Sequence, residues 1–131
     1  LQLPSSGRKE RILICLTGNP SSAALIRRGK RVADYIHADC MAIHVTDGTM
    51  DEAVERHLSF ARNLRIETQV VRSGEVPRTI AEFAHSHSVT QIFMGRSLPR
   101  PRWKWHSESV VQQVVRHASD MQITVVAERR R

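Results

Sequence analysis

The chain has 131 residues, of which 40% are hydrophobic and 25% charged, and its net charge is +7. This balance is typical of one globular domain with a core of its own, and the sequence contains neither a low-complexity tract, an apolar run of membrane-spanning length, nor a signal peptide. The excess of positive charge favours acidic partners, which include nucleotides, nucleic acid and an anionic membrane face.

The first predicted element is a strand, because Arg11 to Leu16 is a continuous apolar run of the kind that is buried on both faces of a parallel sheet. Thr17 to Ser22 is a turn cluster that can cap a helix, and that helix is predicted to end near His37. Its inward face is formed by Leu25, Gly29, Val32, Ala33 and Ile36. The opposite face is charged and is predicted to be solvated; it holds Arg27, Arg28, Lys30, Arg31 and Asp34.

The second strand is predicted over Cys40 to Val45, and Asp47-Gly48 ends it. A helix from about Met50 to Asn63 follows, with Asp51 and Glu52 placed in its first turn, where carboxylates complement the helix dipole. Ile66 to Val71 alternates apolar and polar residues, which predicts a strand at the edge of the sheet.

The second half of the chain repeats the same pattern. A third helix begins near Pro77, and Gln91 to Met94 is a fourth strand. After a long loop a helix is predicted to begin near Ser107, and Gln122 to Val126 is a last strand. The fourth helix has a predicted buried stripe of Val110, Val111, Val114, Val115 and Ala118.

Strands and helices that alternate through short links predict an α/β fold with a single doubly wound, five-stranded parallel sheet in the order 3-2-1-4-5. In such a sheet, ligands bind at the carboxyl ends of the strands where the order reverses, which lies here between strands 1 and 4. The two loops predicted to meet there are Thr17 to Ser22 and Gly95 to Ser109.

The loop from Gly95 to Ser109 combines a strand end, a glycine and a helix N-terminus, the parts from which α/β proteins build anion sites. It also contains three arginines, a lysine and two tryptophans, on which a flat ring could stack. One interpretation is therefore an anion or nucleotide site. The alternative is an ordinary crossover loop with a solvated basic surface.

This loop resembles the nucleotide loop of the universal stress protein domains, which reads Gly, two residues, Gly, nine residues, Gly, then Ser or Thr. The matching positions are Gly95, Leu98, Glu108 and Ser109. The resemblance implies a universal-stress-protein or adenine nucleotide alpha hydrolase-like fold. Members that bind ATP place an acidic residue at the end of strand 1, where Leu16-Thr17-Gly18 has none. Because Leu98 and Glu108 replace glycines, we expect weak or absent ATP binding.

A narrower match is the stress-protein-like domain of the Kdp potassium-responsive sensor histidine kinases. It rests on Arg11 to Ser22, Leu25 to Arg28, and Gly95-Arg96-Ser97 with the Arg-Trp stretch that follows. The resemblance implies a cytoplasmic regulatory input domain whose kinase core lies elsewhere, in the cytosolic part of an inner-membrane protein. We expect a domain over residues 10–127, with edges at 1–9 and 128–131, cut from a longer chain.

Some relatives in that family bind cyclic di-AMP through Ser-x-Ser and, twenty residues later, Phe-Thr-Ala-x-Tyr. The matching positions are Thr17 to Asn19 and Cys40 to His44, where only Ala42 is identical. ATP and cyclic di-AMP are thus the possible ligands, each with a degenerate motif. The candidate ligand-binding residues are Thr17, Gly18, Asn19, Ser21, Ser22, Ala42, His44, Gly95, Arg96, Ser97 and Ser109. The candidate partner-docking residues are Arg100, Arg102, Trp103, Lys104 and Trp105.

Four functions follow from these observations. The first is the regulatory module, whose partners would be other domains of the parent kinase, a stress protein, a second copy or an anionic surface. The second is a free-standing stress protein that binds ATP. An enzyme is the third, but no Ser-His-Asp set, phosphate loop or kinase signature is present, so no catalytic residue is expected. The fourth is nucleic-acid binding, which lacks a recognition module.

Metal and redox functions find little support in the sequence. The two cysteines give neither a disulfide framework nor a metal-ligand spacing, and both are predicted to be core or near-core residues in a reducing compartment. The seven histidines are scattered along the chain, so no metal site is expected.

Overall fold

The computed structural model describes residues 9–96 and 109–126, which contain five strands and four helices in strict alternation. The strands are β1 (Arg11–Cys15), β2 (Asp39–Thr46), β3 (Glu67–Arg72), β4 (Gln91–Gly95) and β5 (Gln122–Val126). The helices are α1 (Ser22–Ile36), α2 (Glu52–Asn63), α3 (Val76–Ser86) and α4 (Val110–His117). None of these four helices has the length and apolar character needed to cross a bilayer.

All five strands join one parallel sheet in the order β3-β2-β1-β4-β5, which confirms the predicted topology. β1 is central, since Leu13 pairs with Met41 of β2 on one side and with Ile92 of β4 on the other. The alternating strand β3 lies at an edge, as predicted. The carboxyl ends of β1 and β4 are therefore adjacent at the point where the strand order reverses.

The core has two layers, one on each face of the sheet. Ile12 and Ile14 pack with α1 and α2, whereas Leu13 and Cys15 pack with α3 and α4. Both faces of β1 are thus covered, which is the physical reason for its continuous apolar sequence. The free energy of burying these side chains fixes β1 in the middle of the sheet.

Helix α1 lies very close to β1. A β-carbon added at Gly29 would be 2.6 Å from Ile14 Cδ1, so this glycine permits the close approach. Ile26 is fully buried too, although the sequence analysis did not place it on the inward face. The helix ends at His37, which takes the left-handed conformation (φ 59°), and the next amide, Ala38 N–H, donates to the carbonyl of Ala33.

Two details of the predicted helices are wrong. In α4 and its C-cap, Val114 and Ala118 are fully buried, but Val110 and Val115 are 37% and 46% exposed. This short helix packs through a narrow row of residues spaced four apart. The predicted buried stripe of five residues was therefore too wide. Asp51 is not in the first turn of α2 but is its N-cap. The predicted helix start near Ser107 lies outside the described residues, within which α4 begins at Val110.

Candidate functional site

The loop from β1 to α1 is held by hydrogen bonds among its own polar groups. Ser22 Oγ accepts from the Thr17 amide (3.2 Å) and donates to the Thr17 carbonyl (3.1 Å). The Asn19 amide donates to Thr17 Oγ1 (3.1 Å), and Asn19 Oδ1 accepts from the Ser21 amide (2.8 Å). The candidate residues Thr17, Asn19, Ser21 and Ser22 are therefore brought together, and several of their donors already have partners.

Two histidines connect this loop to the neighbouring elements through hydrogen bonds. His44, on β2, donates from Nδ1 to the Leu16 carbonyl (2.8 Å), and His57, on α2, donates from Nδ1 to the Thr17 carbonyl (3.0 Å). A carbonyl oxygen only accepts, so the proton lies on Nδ1 in both rings. In the neutral form each Nε2 is then left as an acceptor. The sequence analysis did not include His57 among the candidate site residues.

A carboxylate lies beside the same loop. Asp51 Oδ1 accepts from the Val54 amide (2.9 Å), which caps α2, and a β-carbon added at Gly18 would be 2.9 Å from Oδ2. An anionic group bound over Gly18 would meet this negative charge. The sequence analysis missed Asp51 because its signal, an acidic residue just before a helix, was interpreted only as helix stabilisation.

The carboxyl end of β4 faces the β1–α1 loop, as the predicted topology requires. A β-carbon added at Gly95 would be 3.8 Å from Ser21 Oγ, an ordinary contact distance. The Arg96 amide donates to the carbonyl of Val126, and its side chain is exposed. Gly95 and Ser21 thus lie close together at the junction of β1 and β4, which is called here the mouth, and Arg96 directly follows Gly95 in the chain.

Ser109 begins α4 in a reciprocal cap. Its hydroxyl accepts from the Gln112 amide (3.1 Å), and its own amide donates to Gln112 Oε1 (3.0 Å). Two of the amides that an anion would use at this helix start are therefore engaged. The candidate residues Ser97, Arg100, Arg102, Trp103, Lys104 and Trp105, and the motif positions Leu98 and Glu108, lie outside the described residues.

Ala42 is the candidate that the fold keeps furthest from solvent. It pairs with Ile14 of β1 and Thr68 of β3, and its side chain is fully buried in the layer under α1 and α2. The sole residue identical to the cyclic di-AMP motif is therefore a core residue. Only two positions further along β2, His44 reaches the site.

Burial disfavours the thiolate, the reactive form of cysteine, at both thiols. Burial raises the pKa of Cys15 to about 12 and that of Cys40 to about 11, so both remain protonated at neutral pH. Their positions in β1 and β2 agree with the predicted core role. Among residues 9–96 and 109–126, no group of three or more His, Cys, Asp or Glu side chains could hold a metal ion.

The fold and the site can now be compared with known proteins. No protein family model matches the sequence. A solved universal stress protein in complex with cAMP superposes with a TM-score of 0.74 at 14% identity, over 91% of this chain and 97% of that one. The universal stress protein from Archaeoglobus fulgidus in complex with dAMP gives a TM-score of 0.63 at 18% identity, over 88% and 96%. The chain therefore has the universal stress protein fold, which is adenine nucleotide alpha hydrolase-like.

Sequence relatives define a narrower group. The chain is 28% identical over 124 residues to the sensor protein KdpD of Mycobacterium tuberculosis strain CDC 1551, and 25% identical over 126 residues to KdpD of Escherichia coli K12. These matches cover 90% and 91% of the chain and 14% of the length of each relative. The homologues of this chain are thus KdpD sensor proteins, and it corresponds to one segment of them, with the stress-protein fold.

Proposed function

We propose that this chain is a regulatory input domain of a Kdp-type sensor histidine kinase and acts by binding a ligand or a partner, not by catalysis. The observation that carries the proposal is the match to KdpD sensor proteins, which extends over 90% of the chain. The domain would span residues 10–127 and lie on the cytoplasmic side of the membrane. The kinase that contains it would control potassium transport.

The geometry of the site supports binding rather than chemistry. The β1–α1 loop is fixed by its internal hydrogen bonds and by His44 and His57, which pre-organises the mouth between β1 and β4. Pre-organisation lowers the entropy that a bound group must lose. Within the described residues the thiols stay protonated, and the candidate hydroxyl of Ser22 is used to close the loop.

A chimera tests the regulatory role. The matching segment of Escherichia coli KdpD would be replaced by this chain, and autophosphorylation and the response to external potassium would be measured. In this chimera, Gly95→Val fills the mouth, because a β-carbon there is tolerated at 3.8 Å from Ser21 Oγ. The matched control is Gly74→Val, since a β-carbon at Gly74 has nothing within 4 Å.

We expect the potassium response to change with Gly95→Val and to persist with Gly74→Val, while both chimeras keep autophosphorylating. An unchanged response in both variants would contradict a regulatory role for the mouth. Loss of autophosphorylation by Gly95→Val alone, at equal protein amounts, would assign the segment a part in phosphoryl transfer and overturn the proposal.

A second candidate is binding of an adenine nucleotide, as in a free-standing stress protein. Two neighbours in fold are described as complexes with cAMP and dAMP. The observation that favours it here is Asp51 Oδ2 beside Gly18, since a carboxylate at this place could accept from ribose hydroxyls. It would substitute for the acidic residue that strand 1 lacks.

Calorimetry distinguishes the two candidates. For ATP and cyclic di-AMP we expect no binding tighter than about 100 μM, or roughly −5.5 kcal/mol, because a carboxylate and an internally bonded loop oppose phosphates. Micromolar binding that Asp51→Asn abolishes would favour the second candidate. Asparagine caps a helix as well as aspartate does, so this substitution removes the charge and keeps α2 intact.

A further inference from the structure

The exposed face of α1 is a compact basic surface. Arg27, Arg28, Arg31 and Tyr35 recur at helical spacing, point to solvent, and are called here the α1 stripe. Tyr35 is 85% exposed, which is unusual for an aromatic side chain that could bury its ring. With a rise of about 1.5 Å per residue, the stripe extends over roughly two helical turns.

The stability of α1 does not explain this row of charges. The one acidic residue of the helix, Asp34, pairs with Lys30 at 3.1 Å, and within the described residues Arg28 and Arg31 have neither an ion pair nor a hydrogen bond. No basic residue lies in the last turn, so the helix dipole gains nothing from them. Like charges three and four residues apart destabilise a helix. Mutual repulsion between Arg28 and Arg31 therefore gives the helix no stabilisation.

The side chain of Arg27 is oriented by a neighbouring aromatic ring, and its positive charge is not neutralised. Its guanidinium lies 5.9 Å from the ring centre of Phe60 on α2. This cation–π contact restricts the side chain but leaves its charge and its hydrogen-bond donors available. The entropy lost on binding a further group is correspondingly smaller.

We propose that the α1 stripe is a docking surface for a carboxylate-rich face of a partner protein. Guanidinium groups bind carboxylates in a bidentate manner, and the three charged residues of the stripe are all arginines, while Lys30 is paired with Asp34. Arginine and tyrosine are, with tryptophan, the residue types enriched among the energetically dominant residues of protein interfaces. A short, one-sided row fits an acidic helix or strand better than the extended phosphate lattice of nucleic acid or the wide surface of a bilayer. This inference is independent of the ligand site.

The test uses a fluorescein-labelled polyglutamate peptide and measures its affinity for the chain by anisotropy. Arg28→Gln/Arg31→Gln removes two charges from the stripe, and Arg56→Gln/Arg78→Gln removes two from α2 and α3. Both control arginines form exposed ion pairs, at 3.9 and 3.4 Å, of the kind that contribute little to stability. Glutamine has a helix propensity close to that of arginine, so the folds should be equal.

We expect the stripe variant to weaken peptide binding about tenfold and the control variant less than about twofold. Equal losses would mean that only net charge matters and would overturn the proposal. Anionic vesicles and duplex DNA are titrated in parallel. If the chain binds the vesicles or the DNA more tightly than the peptide, and the stripe variant loses that binding, the surface would be assigned to lipid or to nucleic acid instead. The last measurement is sedimentation of the chain without peptide. Self-association that the stripe variant abolishes would identify the partner as a second copy of the chain and not as an acidic protein.

Discussion

At the scale of single residues, two glycines show where this fold leaves no space for a side chain. At Gly18 an added β-carbon would contact the carboxylate of Asp51, and at Gly29 it would contact Ile14 at 2.6 and 2.9 Å. The first contact is at the surface of the site and involves a side chain that caps a helix. The second is in the fully buried layer between α1 and β1, where neighbouring atoms cannot move far.

Gly29→Ala tests this packing. Alanine raises helix propensity by about 1 kcal/mol, but overpacking a core costs about 1–3 kcal/mol, so we expect a net loss of about 1 kcal/mol in the free energy of unfolding. Ile14→Val removes Cδ1, the nearest atom, and the double variant should be more stable than the sum of the two changes predicts. Urea denaturation measures the coupling. Strict additivity would contradict the close contact.

A surface pair gives a prediction for pH. The hydrogen bond from His85 Nε2 to Asp120 Oδ1 (3.0 Å) is the main cause that holds the pKa of Asp120 below its ordinary value of 3.8. A carboxyl with a lowered pKa stabilises the fold above its ordinary pKa, and this contribution is lost as pH falls through the folded pKa. We therefore expect His85→Ala to reduce stability near neutral pH but not at the lowest pH.

Carbon-13 NMR titration of the carboxyl groups measures this effect directly. His85→Ala should raise the midpoint of Asp120 towards 3.8. Asp47 provides the internal control, because its pKa is lowered chiefly by hydrogen bonds from Thr49 and should not respond. A midpoint of Asp120 that stays low in the variant would show that His85 is not the cause.

At the scale of the element, α4 shows how a short helix depends on its cap and on a narrow line of contacts. It has eight residues, and its N-terminus is closed by the reciprocal bonds between Ser109 and Gln112. Helices of this length are marginal in isolation, so packing and capping must supply their stability. Of its valines, only Val114 is fully buried.

The contrast between Val114 and Val115 tests this arrangement. Val114→Asp would bury an unpaired charge and should unfold the domain, with a loss above about 4 kcal/mol. Val115→Asp changes a side chain that is 46% exposed and should alter stability by less than about 1 kcal/mol. Thermal unfolding followed by circular dichroism compares them. Similar melting temperatures for the two variants would disprove the assigned buried face.

At the scale of the whole molecule, one central strand joins two core layers. β1 supplies Ile12 and Ile14 to the layer under α1 and α2, and Leu13 to the layer under α3 and α4. The two faces of the sheet should therefore unfold together. The edge strands β3 and β5 are covered less, as Val70 and Val125, each 45% exposed, show.

Native-state hydrogen exchange should reflect this order. Amides of β1 are expected to exchange only through global unfolding, whereas amides at the outer edges of β3 and β5 should exchange through local opening and at least about tenfold faster. The measurement requires no substitution and compares strands within one protein. Strong protection along the outer side of β5 would instead indicate that a second strand, from a partner or another copy, covers that edge.

Much of the fold could be predicted because its causes are local in sequence. The apolar run of β1, the alternation in β3 and the turn residues between elements determine which segments are strands, and short links then require a parallel sheet. The sheet order follows, and with it the meeting of the β1–α1 loop with Gly95. The sequence determined these features because the pattern of apolar residues in a strand or helix depends on whether the element is buried on one face or on two.

The remaining features were decided by contacts between distant parts of the chain. His57 reaches Thr17 across 40 residues and His44 reaches Leu16 across 28, and no local pattern marks either bond. Asp51 lies beside Gly18 only because α2 packs next to α1. For the same reason Ala42, an identical motif residue, is buried in the core, whereas His44, two positions further along β2, reaches the site. The role of each of these side chains depends on how whole helices and strands pack against one another. That packing follows from the complete fold and cannot be read from a local stretch of sequence.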